Sequence, residues 1–547
     1  MGSRRHWLQG GAIALFVVFG LVFATWQTGR FVRRMNEITV QSRAQAQAKE
    51  QQEYRLAGIK GRLFTRAEVY AFLKLAKQAE SIADPMQRCL AYPDPPGSHW
   101  SRDAVVAYCR YRTQPLMTFS DVQSLVQHGQ AAELDRRLQK LLDAKSTQPG
   151  AGALLDRTYD QLFKNGSLDA RAIIDAWKRD SPKSAFAYAA SGQVYEAMAY
   201  DARGSDYMRN TPQSNIASME RLLAMADEDL RKAIELDPRV TPAYVTMINV
   251  GGLSAGEAYA TRAAKQGLAV DPANFHIYDA LLWKFQPKWG GSLGAMTRIA
   301  QDAQAHAKEN PLLILLLEKE LGYEANLDDC DCHTKEQLGL YPTVFDQVST
   351  AQQLMSAGYA SESSHHLELS VVYFSEALRF SPDLDDVRLH RAFNLNEFDE
   401  SQWAAHEGDK LLAGDPRNEA YYKARGYAYE SLNDYAKAEK DYRAAIALAP
   451  NDETVWKQLG YLYVNMTHEW DKAWELDNHL IDMYPNEPYG WLMRSEIQLN
   501  QPRAGLKETV DYYASHFDTD PKAHKTLLRL QAALALQSKA GSKASEK

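Results

Sequence analysis

The side chains whose types and spacing can do chemistry are few. Asp328-Asp329-Cys330-Asp331-Cys332-His333 places two sulfurs and an imidazole within four residues, a donor set that suits a soft divalent ion, with carboxylates beside it. The C-x-C-H spacing is tighter than the usual zinc pattern, and no second cysteine pair stands ready to close the shell. His365 and His366 would have to supply a fourth ligand. The plainer reading is an exposed acidic loop, with or without a disulfide between Cys330 and Cys332, so no metal and no other cofactor is expected. Cys89 and Cys109 flank the Pro-rich stretch YPDPPGSHW. A disulfide closing that loop would restrict the unfolded chain by about 3 kcal/mol and would persist only in an oxidising compartment. Two buried, reduced thiols are the alternative.

A third group lies at helical spacing further along: Phe393 and Asn396, then Lys423, Tyr427 and Glu430, then Lys457, Tyr461 and Asn465. A face that mixes aromatic anchors with Lys and Asn suits a bound peptide or extended segment. The same residues also fit plainly solvated helix faces, and both readings stand. No hydrolytic signature accompanies them. There is no G-x-S-x-G elbow, no P-loop and no H-E-x-x-H helix, because His406-Glu407 and His468-Glu469 lack the second histidine. An enzyme is therefore not expected, and a protein or peptide partner is. A net charge of −8 and a pI near 6.0 argue against a nucleic-acid partner, which needs a basic face for phosphate.

The elements that must position these residues announce themselves by period. Pro382, Pro416, Pro450 and Pro485 stand 34, 34 and 35 residues apart, and Pro238 and Pro272 are separated by 34. Each fits the end of a helix, where a missing N–H and a fixed φ stop the helix and turn the chain. Between the prolines lie the parts of a helix–turn–helix unit. In the clearest one Tyr422, Gly426 and Tyr429 mark a first helix, and Tyr435, Ala438, Tyr442 and Ala445 a second. The small residues let two helices approach, and the large ones fill the space beside them. The next unit carries Trp456, Leu459, Gly460 and Tyr463, then Ala473, with Pro485 one residue late, so the turn near His468 is expected to hold an extra residue.

This pattern resembles the tetratricopeptide repeat, whose first helix carries an aromatic, then Leu-Gly, then Tyr. Residues 419–485 match well, while 351–416, 486–521 and 206–272 match loosely. The resemblance implies an all-α, helical-repeat α-solenoid with a concave surface lined by first helices. Some members of the family grip a C-terminal carboxylate with a Lys and two Asn. Lys423 and Lys457 fit the Lys role, but Tyr427 and Gln458 stand where asparagines belong. The segment Phe285-Gln-Pro-Lys-Trp-Gly-Gly-Ser292 is similar to a P-x-W-G-G-S signature of an uncharacterised bacterial family, over about residues 119–317, which brings no known activity. Physically, Trp289 with Gly290 and Gly291 makes an anchored tight turn and Ser292 caps the next helix.

The N-terminus departs from this pattern. Trp7 to Gly29 carries no charge and its centre, AIALFVVFGLVFA, is almost wholly apolar. A helix of that length crosses a bilayer core of about 30 Å, and Trp7 and Trp26 suit the two headgroup levels. An uncleaved anchor is expected over a cleaved signal peptide. Arginines on both sides of the span leave its orientation without a clear vote, and the Cys89–Cys109 reading favours the periplasm. The expected layout is an anchor at 1–35, a Gln- and Ala-rich stalk at 36–53 and a small Cys-containing helical module at 54–116. There follow a helical domain at 117–317 with degenerate repeats, a connecting segment at 318–350, repeats at 351–535 and a polar, disordered tail at 536–547. Ser120 with Gln123 reads as the capping box that opens the helix toward Gln127. The whole is expected to be a single-pass protein of the bacterial inner membrane that serves as a scaffold or adaptor. The alternative is an envelope enzyme or metal-handling protein using the Cys330–His333 loop.

Overall fold

The structure is a computed structural model that describes residues 56, 58–144, 153–206, 210–325, 327, 335–485, 487–516 and 521–545. Among the described residues there is no strand, and the chain is all-helical. No described helix is long and apolar enough to cross a membrane. The Trp7–Gly29 span and the Cys330–His333 loop both lie outside the described residues.

Two compact units divide the chain. One runs mainly from Gly97 to the 320s with 339–349, and the other holds Leu63–Pro96 together with everything from Thr350. The 54–116 stretch is thus shared between them.

In the first unit, Phe119–Gln127 opens on Thr118 rather than on Ser120. The Thr118 hydroxyl accepts from the Asp121 N–H, and the Asp121 carboxylate accepts from the Thr118 N–H at 2.7 Å. The capping box therefore sits two residues earlier than expected. Thr118 wins because Asp121 can reach back as well as be capped, which relieves two orphan donors at once. Two long helices, Ala185–Arg203 and Gln213–Leu236, pack together, followed by the shorter Thr241–Val250, Glu257–Val270 and Phe275–Lys284. Apolar side chains from Val122 to Leu281 form one continuous core. Ser292 does cap Leu293–Gln304, accepting from the Ala295 N–H, and Gly290 takes the left-handed conformation that the preceding turn needs. Trp289 itself is 46% exposed, so backbone bonds back to Gln286 hold that turn rather than a buried indole.

The second unit is a run of helix pairs. Ala351–Ser363 pairs with Leu367–Phe380, Asp385–Asn396 with Ser401–Gly414, and Glu419–Ser431 with Tyr435–Leu448. Glu453–Tyr461 pairs with Trp470–Met483, and Pro488–Asn500 with Leu506–His516. Every periodic proline stands two residues past a helix end, after Phe380, Gly414, Leu448 and Met483 here and after Leu236 and Val270 in the first unit. The turn inside each pair is equally periodic. His365, Asp399, Asn433 and His468 all have positive φ, between 55° and 60°, and they repeat with the spacing of the prolines. The extra residue near His468 is absorbed as a π-helical stretch, Leu462–Thr467, whose longer closure is sealed by Glu469 N–H donating to Tyr463 C=O. Close approach within a pair is set at Gly426. A Cβ there would stand 2.7 Å from the ring of the fully buried Tyr442.

Leu63–Pro96 belongs to this unit and is tied to it by charge. Arg391 is fully buried and donates to Glu407 at 2.5 Å, to Glu80 at 3.1 Å and to the Tyr92 hydroxyl at 3.2 Å. Nearby, Arg379 donates to the Cys89 carbonyl at 2.8 Å and pairs with Asp94 and Glu376.

Candidate functional site

The first helices present one position in register. Tyr359, Phe393, Tyr427 and Tyr461 are spaced by 34 residues, and each keeps part of its ring in solvent, Tyr461 being 44% exposed. A helix puts residues three or four apart on one face, so a repeat of constant length stacks this position from pair to pair. Phe393 and Tyr427 meet with ring centroids 6.2 Å apart. Tyr359 is held edge-on to His390 at 5.0 Å, and its hydroxyl donates to Asp386. Tyr359 was not among the residues picked out from sequence, yet stepping back one period from Phe393 reaches it.

The polar members of the row are differently placed. Lys423 is bonded to Asp452 at 2.7 Å and Lys457 to Glu453 at 2.5 Å, so both ammonium groups are already neutralised. The Lys457 Nζ also lies 5.5 Å from the Tyr489 ring centroid, and the Tyr489 hydroxyl donates to the Lys457 carbonyl at 2.6 Å. Asn396 and Asn465 turn their amides back onto their own helices, onto the Ala392 and Tyr461 carbonyls. No carboxylate clamp is assembled here: its lysines are paired, and Tyr427 and Gln458 occupy the amide positions.

Acid remains. Glu430 accepts from Tyr442 at 2.8 Å, and burial pushes its carboxyl above the usual range, an effect the Tyr442 hydrogen bond partly offsets. Glu397 accepts weakly from Tyr427 at 3.4 Å. Burial, followed by the nearby Glu397 and Glu430, raises the Tyr427 hydroxyl, so this phenol stays neutral. The row is thus aromatic rings edged by carboxylates, with its lysines spent on internal pairs.

The cysteine pair falls in two different places. Cys89 is on Pro85–Ala91 and Cys109 on Arg102–Thr113; both are fully buried and each is disulfide-bonded. Among the described residues no group of His, Cys, Asp and Glu is arranged to hold a metal ion.

Against known proteins, residues 419–462 match the tetratricopeptide repeat family. Residues 118–255 match a family described only as a domain of unknown function, DUF4034, which ends ahead of the Pro287–Ser292 segment. A TPR repeat-containing protein of Pseudomonas aeruginosa is 26% identical over 180 residues, which cover 31% of this chain and 29% of that relative. The chain therefore spans under a third of the curated relative it matches. A thermophilic tetratricopeptide-repeat protein of Thermus thermophilus superposes over 34% of this chain and 100% of its own, at 20% identity and a TM-score of 0.28. A tetratricopeptide-repeat protein of Parabacteroides merdae does so over 53% and 98%, at 12% identity and a TM-score of 0.29. The family match falls on the best-formed helix pair and the turn residues recur at its period, so the second unit carries tetratricopeptide repeats.

Proposed function

We propose that this protein is a scaffold or adaptor that docks a protein partner on the first-helix face of its repeat array. In this reading the Trp7–Gly29 span holds it in the bacterial inner membrane, with the helical body in the periplasm. The observation that carries the docking face is the partly exposed aromatic row Tyr359, Phe393, Tyr427 and Tyr461. Folding alone has no need to leave four rings at one repeat position in contact with water, whereas rigid aromatic anchors are what a recognition groove uses. The Glu397 and Glu430 carboxylates beside the row favour a partner segment that brings basic or hydrogen-bond-donating groups between apolar side chains. Two disulfide-bonded, buried cysteines support the oxidising compartment, and we pair Cys89 with Cys109. A scaffold fits a site built of packing and paired charge.

Site-specific photocrosslinking in intact cells tests the docking face. A benzophenone side chain at Tyr461 or Tyr427 should capture one discrete partner, and the same probe at Leu448, exposed on a second helix, should not. Equal capture from all three positions, or capture from none, would sink the proposal. The compartment is tested separately: thiols of the native chain at 89 and 109 should react with a maleimide only after reduction.

A further inference from the structure

The first unit holds a cleft of about 460 Å³ that the repeat array does not account for. It lies among Leu154–Phe163, Ala185–Arg203, Thr241–Val250, Phe275–Lys284 and the Lys319 turn of Leu315–Glu324. Four carboxylates line it: Asp160, Glu196, Asp201 and Asp279. Two are already answered, since Lys164 pairs with Asp160, and Lys319 with Asp279 at 2.7 Å. His276, on the same wall, shares a hydrogen bond with the Tyr111 hydroxyl at 3.1 Å.

Glu196 is different. It is 3% exposed, lines the cleft, and makes no hydrogen bond with any described residue. A largely buried carboxylate left without protein donors is costly, so a protein that keeps one at the wall of a cavity has a reason to do so. Asp201, five residues on along the same helix, stands at the cleft rim, again with no cation bonded to it. The helical rise puts their backbones about 7.5 Å apart along the axis. Val245, Ala280 and Trp283 also line the cleft, beside Asn249, and supply its apolar and aromatic surface. Trp283 is 38% exposed and its ring lies 5.3 Å from that of Trp289, which is 46% exposed. The Trp289-Gly-Gly-Ser segment, whose turn needs no indole, thus sets a second tryptophan against the rim of the cleft. Spare carboxylates in one cleft with a partly exposed indole are the chemistry that recognises a positively charged nitrogen on an apolar body.

We propose that this cleft binds a small organic cation, an alkylammonium whose charge is taken by Glu196 and Asp201 and whose carbon chain lies against Trp283. A linear diamine of five carbons is about as long as the axial offset of the two acids along their helix. Binding is coupled to protons. Burial pushes the Glu196 carboxyl up to about 7; Lys164 opposes this and Asp160 adds to it. The other groups facing it are Tyr200 and Asp201 on its own helix, His276 and Asp279 on the next wall, and Lys319. An incoming cation therefore displaces the Glu196 proton.

Calorimetric titration of the full-length protein in detergent with cadaverine, and separately with the dicarboxylate glutarate, tests the assignment. Cadaverine should bind saturably and glutarate should not. Going from pH 8 to pH 6 takes Glu196 from about nine-tenths to about one-tenth ionised, so cadaverine affinity should fall about ten-fold. Glu196→Gln should lower affinity at pH 8 at least ten-fold and flatten the pH dependence. Asp201→Asn, an exposed substitution that leaves the core alone, should weaken binding several-fold. Binding of glutarate in place of cadaverine, no saturable binding of either, or cadaverine binding indifferent to both substitutions would each overturn the proposal.

Discussion

Glu407→Gln probes the charge network that ties residues 63–96 to the repeats. Glu407 is fully buried, and it accepts from Arg391 at 2.5 Å, Arg388 at 2.7 Å and Lys410 at 3.1 Å. Burial alone would raise its carboxyl, but Arg391, Arg388 and Lys410 outweigh it and hold the group down to about 2, against an ordinary value of 4.5. At 1.36 kcal/mol per pKa unit, neutralising this carboxylate forfeits about 3 kcal/mol. Breaking a buried ion pair from one side costs about 3–5 kcal/mol by a separate route. Arg391 keeps Glu80 and Tyr92 as acceptors in the variant, so the lower figure applies. Hydrogen exchange read by mass spectrometry separates the regions. Peptides from Asp385–Gly414 and Arg66–Glu80 should lose protection together, by about a hundred-fold, while Leu154–Arg203 is unchanged. Replacing both partners, Arg391→Met with Glu407→Leu, should recover at least half of the loss, because neither charge is then left buried alone. Loss of protection confined to 385–414, a change of under three-fold, or a double variant worse than either single one would refute the reasoning.

Other perturbations follow from the same geometry. Acid titration should weaken the second unit as pH falls from about 4.5 toward 2: the unfolded carboxyl takes up its proton before the folded Glu407 does, so stability held above 4.5 is lost in that window. Glu376 behaves oppositely. Burial raises it to about 8 despite Arg379, so the folded state holds the extra proton between about 4.5 and 8 and stability declines as pH rises through that range. Glu376→Gln should therefore be near neutral at pH 5 and stabilising at pH 9 in chemical denaturation. Gly426→Ala should cost about 1–3 kcal/mol, since the new Cβ lands 2.7 Å from the buried Tyr442 ring, whereas Gly414→Ala, with nothing within 4 Å, should cost nothing. His365→Gly should gain about 0.5–1 kcal/mol in thermal denaturation, because φ of 60° is free for glycine and strained for histidine.

Much of the candidate docking face was readable from spacing. Lys423, Tyr427 and Glu430 fell on one helix because period 3.6 puts them there, and the period of 34 carried Phe393 to Tyr427 to Tyr461. What spacing does not give is pairing. Lys423 and Lys457 looked like open contacts for a partner and turned out to be bonded to Asp452 and Glu453, a matter of rotamers and neighbouring turns. The capping box was misplaced at Ser120 because Ser-x-x-Gln and Thr-x-x-Asp overlap, and only the reciprocal bond distinguishes them. The left-handed turn residues His365, Asp399, Asn433 and His468 recur at the period but are of three types, none of them glycine, so no single residue type marks the position.

The chain's sequence by itself determined the helix pairs, their length and their stops. Those depend on local chemistry: proline without an N–H, small residues at helix crossings, apolar residues at helical period. Only the tertiary structure decided which charges are spent and which remain. Arg391 finds Glu80 across some three hundred residues, and Glu196 is left without a donor inside a cleft built from five helices. Burial and partnership belong to surroundings assembled from distant segments, and a linear pattern carries no record of them.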